Sequence, residues 1–156
     1  MTVYNLGSLL EKSATLFPDR EAIVFGRQHI TYAELDQLAN QCAHVVVEAG
    51  IVPGDKVALT CPNVPFFTVA YFGILKAGAT VVPLNVLLKS REIVYHLEDS
   101  DAKAYLCFEG SDALPTGASG AEAFQQVESC QRMFTITADP IADSSIEGAE
   151  PLGRLP

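Results

Sequence analysis

A chain of 156 residues, 49 % apolar in composition and with a mean hydropathy of +0.22, is long enough to build one domain around a core and too apolar for a disordered chain. Nineteen Asp and Glu against ten Lys and Arg give a net charge of −9. This balance excludes the basic footprint that nucleic acid requires and a polybasic dock on anionic lipid.

From the amino terminus, Leu6, Leu9, Leu10, Ala14 and Phe17 recur at helical spacing after Asn5, a residue suited to capping, and Pro18 stops the run. The start, MTVYNLGSLLEKSA, lacks a basic n-region, and Glu11 and Lys12 interrupt its apolar residues, so no signal peptide is expected. EAIVFG and QHIT read as two short strands joined at Gly26-Arg27. Thr31 and Glu34 form a capping box for a helix that places Leu35, Leu38, Ala39, Cys42, Val45, Val46 and Ala49 on one face and ends at Gly50. After the turn Pro53-Gly54-Asp55, KVALTC reads as a strand. Asn63 is the expected cap of the next helix, with Pro65 in its first turn. This helix, 64–77, is apolar on nearly all sides and should lie between layers. Its longest apolar stretch, Val64–Leu75, is too short to span a bilayer.

Ala79–Leu84 is the next strand, Ser90 the expected cap of SREIVYHLEDSD, and Lys103–Phe108 a further buried strand. SDALPTGASG reads as a surface loop, EAFQQVES as a short helix and MFTIT as a strand. Strands that alternate with helices and read as continuous apolar runs predict an α/β fold with a mostly parallel sheet and helices on both faces. From about residue 139 the chain turns small, acidic and rich in Pro and Gly, which divides it into a domain, 1–138, and a linker or tail, 139–156.

The residues carry little recognisable chemistry. No G-x-G-x-x-G and no G-x-x-x-x-G-K-[ST] occurs, so neither a dinucleotide fingerprint nor a P-loop is present in this sequence. Thr116–Gly120 is flexible in composition, but no Lys or Arg accompanies it and Glu122 follows at once. Cys42, Cys61, Cys107 and Cys130 form no C-x-x-C, and no His stands at ligand spacing from them, so they read as buried reduced thiols of a cytoplasmic protein. His29, His44 and His96 are scattered; His96 and Glu92 stand one helical turn apart, which suits a solvated pair better than a catalytic dyad. No catalytic, cofactor-binding or metal-ligating residue is assigned. Two polar residues follow strands whose carboxyl ends share one rim of a parallel sheet: Asn63 and Asn85 are the candidates for a substrate rim, their plainer roles being helix cap and turn former.

The order of several short motifs carries a resemblance. Leu16-Phe17-Pro18-Asp19-Arg20-Glu21-Ala22 is followed by Thr31-Tyr32-Ala33-Glu34-Leu35, and Gly50-Ile51 by Gly54-Asp55-Lys56-Val57-Ala58-Leu59. Pro62-Asn63, Gly73-Ile74-Leu75-Lys76-Ala77-Gly78-Ala79, Val82-Pro83-Leu84-Asn85 and Leu97 with Ser100-Asp101-Ala102-Lys103 continue the series. Together they resemble the amino-terminal part of adenylate-forming (AMP-binding) enzymes, and are most similar to fatty-acid and medium-chain acyl-CoA synthetases. The resemblance implies the first subdomain of that synthetase fold. It also implies an activity of the whole enzyme: ATP and magnesium activate a carboxylic acid to an acyl-adenylate, which is passed to coenzyme A. The family's phosphate loop, of pattern [ST]-[ST]-G-[ST]-T-G-x-P-K-G, is not found in these residues, and Thr116–Gly120 departs from it at Pro and Lys.

The expectation is therefore an amino-terminal fragment of a fatty-acid–CoA ligase, inactive alone and binding no cofactor itself, whose partner is the remainder of the synthetase or a second copy. The alternative is a non-catalytic assembly or binding module derived from the same fold. A free-standing flavodoxin-like nucleotide binder is a third reading, disfavoured by the missing glycine loop.

Overall fold

Five parallel strands make the central sheet of the computed structural model, which describes residues 5–111, 113–137, 144–147 and 149–152. In chain order the elements begin with α1 (Gly7–Leu16), β1 (Glu21–Phe25), β2 (Gln28–Thr31), α2 (Tyr32–Glu48), β3 (Lys56–Thr60) and α3 (Pro65–Lys76). They continue with β4 (Thr80–Leu84), α4 (Ser90–Asp99), β5 (Ala102–Phe108), α5 (Thr116–Phe124), β6 (Arg132–Ile136) and β7 (Glu150–Pro151). The sheet order is β4-β3-β5-β6-β7, while β1 and β2 form a separate antiparallel hairpin. The expected α/β class with a parallel sheet is what the structure shows.

Side chains alternate across a strand, so each strand feeds two cores. Val57, Leu59, Leu106, Phe134 and Ile136 join Leu10 of α1, Ala39, Cys42 and Val46 of α2, and Val69, Ala70 and Ile74 of α3 on one face. Ala58, Tyr105, Cys107 and Met133 join Ile93 and Leu97 of α4 and Ala123 of α5 on the other. Pro83 falls in β4, an edge strand, where its missing N–H breaks no ladder.

Helix α3 lies against α2 with almost no gap. A Cβ at Gly73 would stand 2.5 Å from both Cβ and Sγ of Cys42 and 3.1 Å from the Ala39 carbonyl oxygen. The C-terminal end of α3 carries Lys76, whose side chain is only 6 % exposed and whose Nζ lies 2.9 Å from Glu11 of α1 and 2.9 Å from Asp36 of α2. Asp36 Oδ1 is buried outside any hydrogen bond, so this ammonium is its charge partner. One cation thus ties three helices at a single point.

The caps follow the sequence only in part. Thr31 and Glu34 form the expected box: the Thr31 N–H donates to Glu34 Oε2 at 2.8 Å, and the Glu34 N–H to Thr31 Oγ1 at 3.3 Å. Hydrogen bonds from the Thr31 backbone, then from its hydroxyl, hold the Glu34 carboxyl below its ordinary value. Asn5 does not cap α1. Leu6 is the N-cap, and Asn5 Nδ2 donates instead to the Leu75 carbonyl at 3.1 Å, a tertiary tie to α3. Asn63 does not cap α3 either; Val64 takes that position with no side-chain bond, and Pro65 opens the helix as expected. Ser90 is the first residue of α4 rather than its cap, and its hydroxyl donates to Glu122 at 2.8 Å.

The largest departure is at 116–120. Expected as loop, Thr116–Gly120 is the first half of α5, and Thr116, Gly117 and Gly120 are buried. Local composition favoured a loop, but packing against β5 overrides it: a Cβ at Gly120 would come 2.7 Å from Cys107 Sγ, and one at Gly117 2.5 Å from the Glu109 carbonyl oxygen. Within the stretch expected as linker or tail, the short strand β7 pairs with β6, and Leu152 is 1 % exposed. Residues 138–143, 148 and 153–156 lie outside the described residues. Among the described residues, no helix is long and apolar enough to cross a membrane.

Two substitutions test this layer. Gly73→Val forces a branched side chain onto Cys42 and should lower stability by about 1–3 kcal/mol in urea unfolding. Lys76→Met should cost about 1.5–3 kcal/mol by losing charge-assisted contacts, toward the low end because Glu11 is largely exposed, and should speed amide exchange in α1 before other helices.

Candidate functional site

Parallel strands place their carboxyl ends on one rim, and ligands of open α/β sheets bind where successive helices depart toward opposite faces. Here that point lies between β3 and β5: α3 leaves toward one face and α5 toward the other. In register, Thr60 at the end of β3 pairs with Leu84 of β4 on one side and Cys107 of β5 on the other. Asn63, Asn85 and Glu109 therefore follow three adjacent strand ends.

The two asparagines do different things there. Asn85 is exposed, and its Oδ1 accepts from the Leu87 N–H at 2.9 Å, an Asx turn that starts the path to α4. Asn63 is exposed beside a cleft of about 210 Å³ lined by Ile23, Val24 and Phe25 of the hairpin and Val64, Pro65 and Phe67 of the α3 entrance. Asn63 and Thr68 are the polar residues of a notch that is otherwise lined by apolar side chains. After β5 the chain turns at Gly110, with φ +90°, where any Cβ would collide with the Leu114 carbonyl oxygen. A second cavity, of about 380 Å³, opens beside this turn, lined by Glu109, Gly110, Ser111, Pro115, Ala118, Ser145 and Ile146.

Below the rim the polar groups satisfy one another. The hydroxyls of Thr60 and Tyr105 are 2.8 Å apart and buried. Burial first, then the neighbouring Cys107, pushes the Tyr105 hydroxyl far up. The thiol of Cys107 donates to the Thr116 carbonyl at 3.7 Å. All four cysteines are free and buried, and burial pushes each up to about 12. A neutral buried thiol is neither a nucleophile nor a metal ligand.

The histidines do not converge. His29 pairs with Glu21 across the hairpin at 2.5 Å, His44 is exposed on α2, and the His96 ring packs edge-on against Tyr95. Glu92, the neighbour of His96 in sequence terms, accepts instead from the Lys89 N–H at 2.9 Å. Among the described residues no three His, Cys, Asp or Glu are grouped to hold a metal ion. The Thr116–Gly120 stretch does not fit a triphosphate: its glycines are occupied by contact with β5, and Glu122 faces Ser90 across the gap to α4. What the rim offers is shape, two amides and one carboxylate. Sequence reading gave no sign that Lys76 would be buried between two carboxylates; the signal for the α5 glycines was their three-residue spacing, which puts both on one helical face.

Comparison with known proteins locates this arrangement. A profile described as AMP-binding enzyme matches residues 10–153. The oxalate–CoA ligase of Arabidopsis thaliana is 43 % identical over 103 residues, covering 65 % of this chain and 20 % of the plant protein. The long-chain-fatty-acid–CoA ligase FadD13 of Mycobacterium tuberculosis is 38 % identical over 104 residues, covering 65 % of this chain and 21 % of that one. The solved structure of a Mycobacterium tuberculosis fatty acyl CoA synthetase superposes with a TM-score of 0.75 at 30 % identity, over 85 % of this chain and 26 % of that one. The chain spans about a fifth of the length of the curated relatives it matches.

The thiol environment makes a direct prediction. At pH 8 the folded chain should react with DTNB far more slowly than a free thiol, and all four cysteines should titrate once it is unfolded in denaturant. Prompt labelling of even one thiol in the folded state would contradict the burial described here.

Proposed function

The chain belongs to the AMP-binding enzyme family, and from that premise we propose that residues 1–156 are the amino-terminal subdomain of a fatty-acid–CoA ligase. In the whole enzyme a carboxylic acid is joined to ATP, with magnesium, to give an acyl-adenylate and pyrophosphate, and the acyl group then passes to the thiol of coenzyme A. This segment supplies scaffold to that reaction and performs none of it alone. The observation that carries the reading is the pairing of sequence similarity to CoA ligases, at 43 and 38 % identity to the plant and mycobacterial relatives, with a strand-end rim that, among the described residues, holds no acid–base pair, nucleophile or phosphate cradle.

Its partner is the remainder of the synthetase, or a second copy. The exposed Val24, Phe25 and Leu87, at 59, 49 and 68 %, support a surface that more protein covers. Asn63 and Asn85 would face the substrate side of the interface, one beside the apolar notch and one on the turn after β4. Four unpaired thiols suit the cytoplasm. The relatives' names differ in their acid, oxalate in one and long-chain fatty acids in another, so family membership does not fix the acid.

The reading is tested by ATP–pyrophosphate exchange with oxalate and with fatty acids of several lengths. Residues 1–156 alone should show none. A chimera in which residues 5–152 replace the matching segment of the mycobacterial relative should retain acid-dependent exchange. Turnover by the segment alone, or a folded chimera inactive with every acid, would overturn it; the second result would favour a non-catalytic module.

A further inference from the structure

The last strand, β7, has two residues, and one of them, Pro151, has no N–H to give the ladder. Such a strand has few hydrogen bonds of its own with which to hold its register. Its carboxyl end is pinned: the Leu152 N–H donates to the Thr135 carbonyl at 2.8 Å, and the Leu152 side chain is buried in the core shared with α1, α2 and α3. Beside it, Arg132 Nη2 meets Glu150 Oε1 at 2.6 Å, an exposed pair that adds little.

The approach to the strand is pinned at the carboxyl end of β5. Glu109, directly after β5, receives two hydrogen bonds on one carboxylate oxygen, from the Ser145 backbone N–H and from the Ser145 hydroxyl, the latter at 2.6 Å. The next residue, Ile146, lays its Cδ1 where Gly117 has no side chain; a Cβ there would stand 2.5 Å from that methyl. Charge-assisted bonds of this kind are the strong ones, and the methyl fills a notch that only glycine leaves open.

We infer that Glu109 and the Gly117 notch form a latch that sets the register of β7 by holding Ser145 and Ile146 against the carboxyl rim of β5. The carboxylate supplies the fixed point, the notch supplies the orientation, and the strand then falls into line with Thr135. The latch also forms one wall of the 380 Å³ cavity beside Gly110, so releasing it opens that cavity. Glu109 is a positioning residue, acting through Ser145 on a strand that it does not touch.

Amide hydrogen exchange on the chain 1–156 tests this. Glu109→Ala should raise exchange at Ser145, Ile146 and also Leu152 by about tenfold or more, the loss expected for a charge-assisted bond, while amides of the central strand β5 stay unchanged. Glu109→Gln, which keeps an acceptor oxygen, should restore most of the protection. Ile146→Ser, a change at a half-buried site that leaves the main cores intact, should release Leu152 in the same way and serves if Glu109→Ala fails to fold. Faster exchange confined to residues 145 and 146, with Leu152 unmoved in both variants, would overturn the latch, as would no change anywhere. Neither outcome depends on whether the chain serves an acyl-activating enzyme.

Discussion

The contact between α2 and α3 at Gly73 sets the geometry of one whole face of this molecule. Glycine lets the two helices meet backbone to side chain, with Cys42 and Ala39 filling the space that a Cβ would need. That close approach seats Val69, Ala70 and Ile74 on β3 and β4 while α2 covers them from outside, and it lets an almost wholly apolar helix be buried without a void. It also brings the end of α3 within reach of α1, so that Lys76 can lose most of its water and still meet two carboxylates. The buried ammonium depends on the packing rather than producing it.

With α3 committed to one face, the crossover from β4 must bring α4 to the other, and α5 follows it there. The switch point between β3 and β5 is a consequence of that order. It creates a crevice but puts little chemistry in it. The groups near the surface are two amides, that of Asn85 forming a turn, and the Glu109 carboxylate, and those beneath are paired hydroxyls and a thiol bonded to a backbone carbonyl, held neutral by burial. A scaffold of this kind contributes walls and fixed departure points for chain segments. Such a role is consistent with membership of an enzyme family in which this segment is about a fifth of the length of the relatives matched.

Hydrophobic period and cap chemistry made the middle of the chain legible. KVALTC, Ala79–Leu84 and KAYLCF read as buried strands because a continuous apolar run is visible along the chain, and Thr31 with Glu34 opens a helix because the two partners of the box lie three residues apart. The asparagines were less legible for the opposite reason. An amide can bond to its own turn, cap a helix or reach another element, and the local sequence does not rank these; Asn85 took the first, Asn5 the third, and Asn63 capped nothing. The candidate rim shared that ambiguity, since the order of strands decides which loop ends become neighbours.

By itself the sequence determined the α/β class, the boundaries of the central strands within a residue or two, the capped helix α2 and the family to which the motifs belong, because each rests on short-range periodicity or on order along the chain. Tertiary structure alone decided that T-G-A-S-G would be helix rather than loop, that Lys76 would be buried, and that Glu109 would meet Ser145. In each case the deciding partner lies far off in sequence: Cys107 and Tyr105 behind Gly120, Glu11 and Asp36 around Lys76, and a return of the chain to the end of β5. Contacts of that range exist only after the sheet has assembled, and no local preference encodes them.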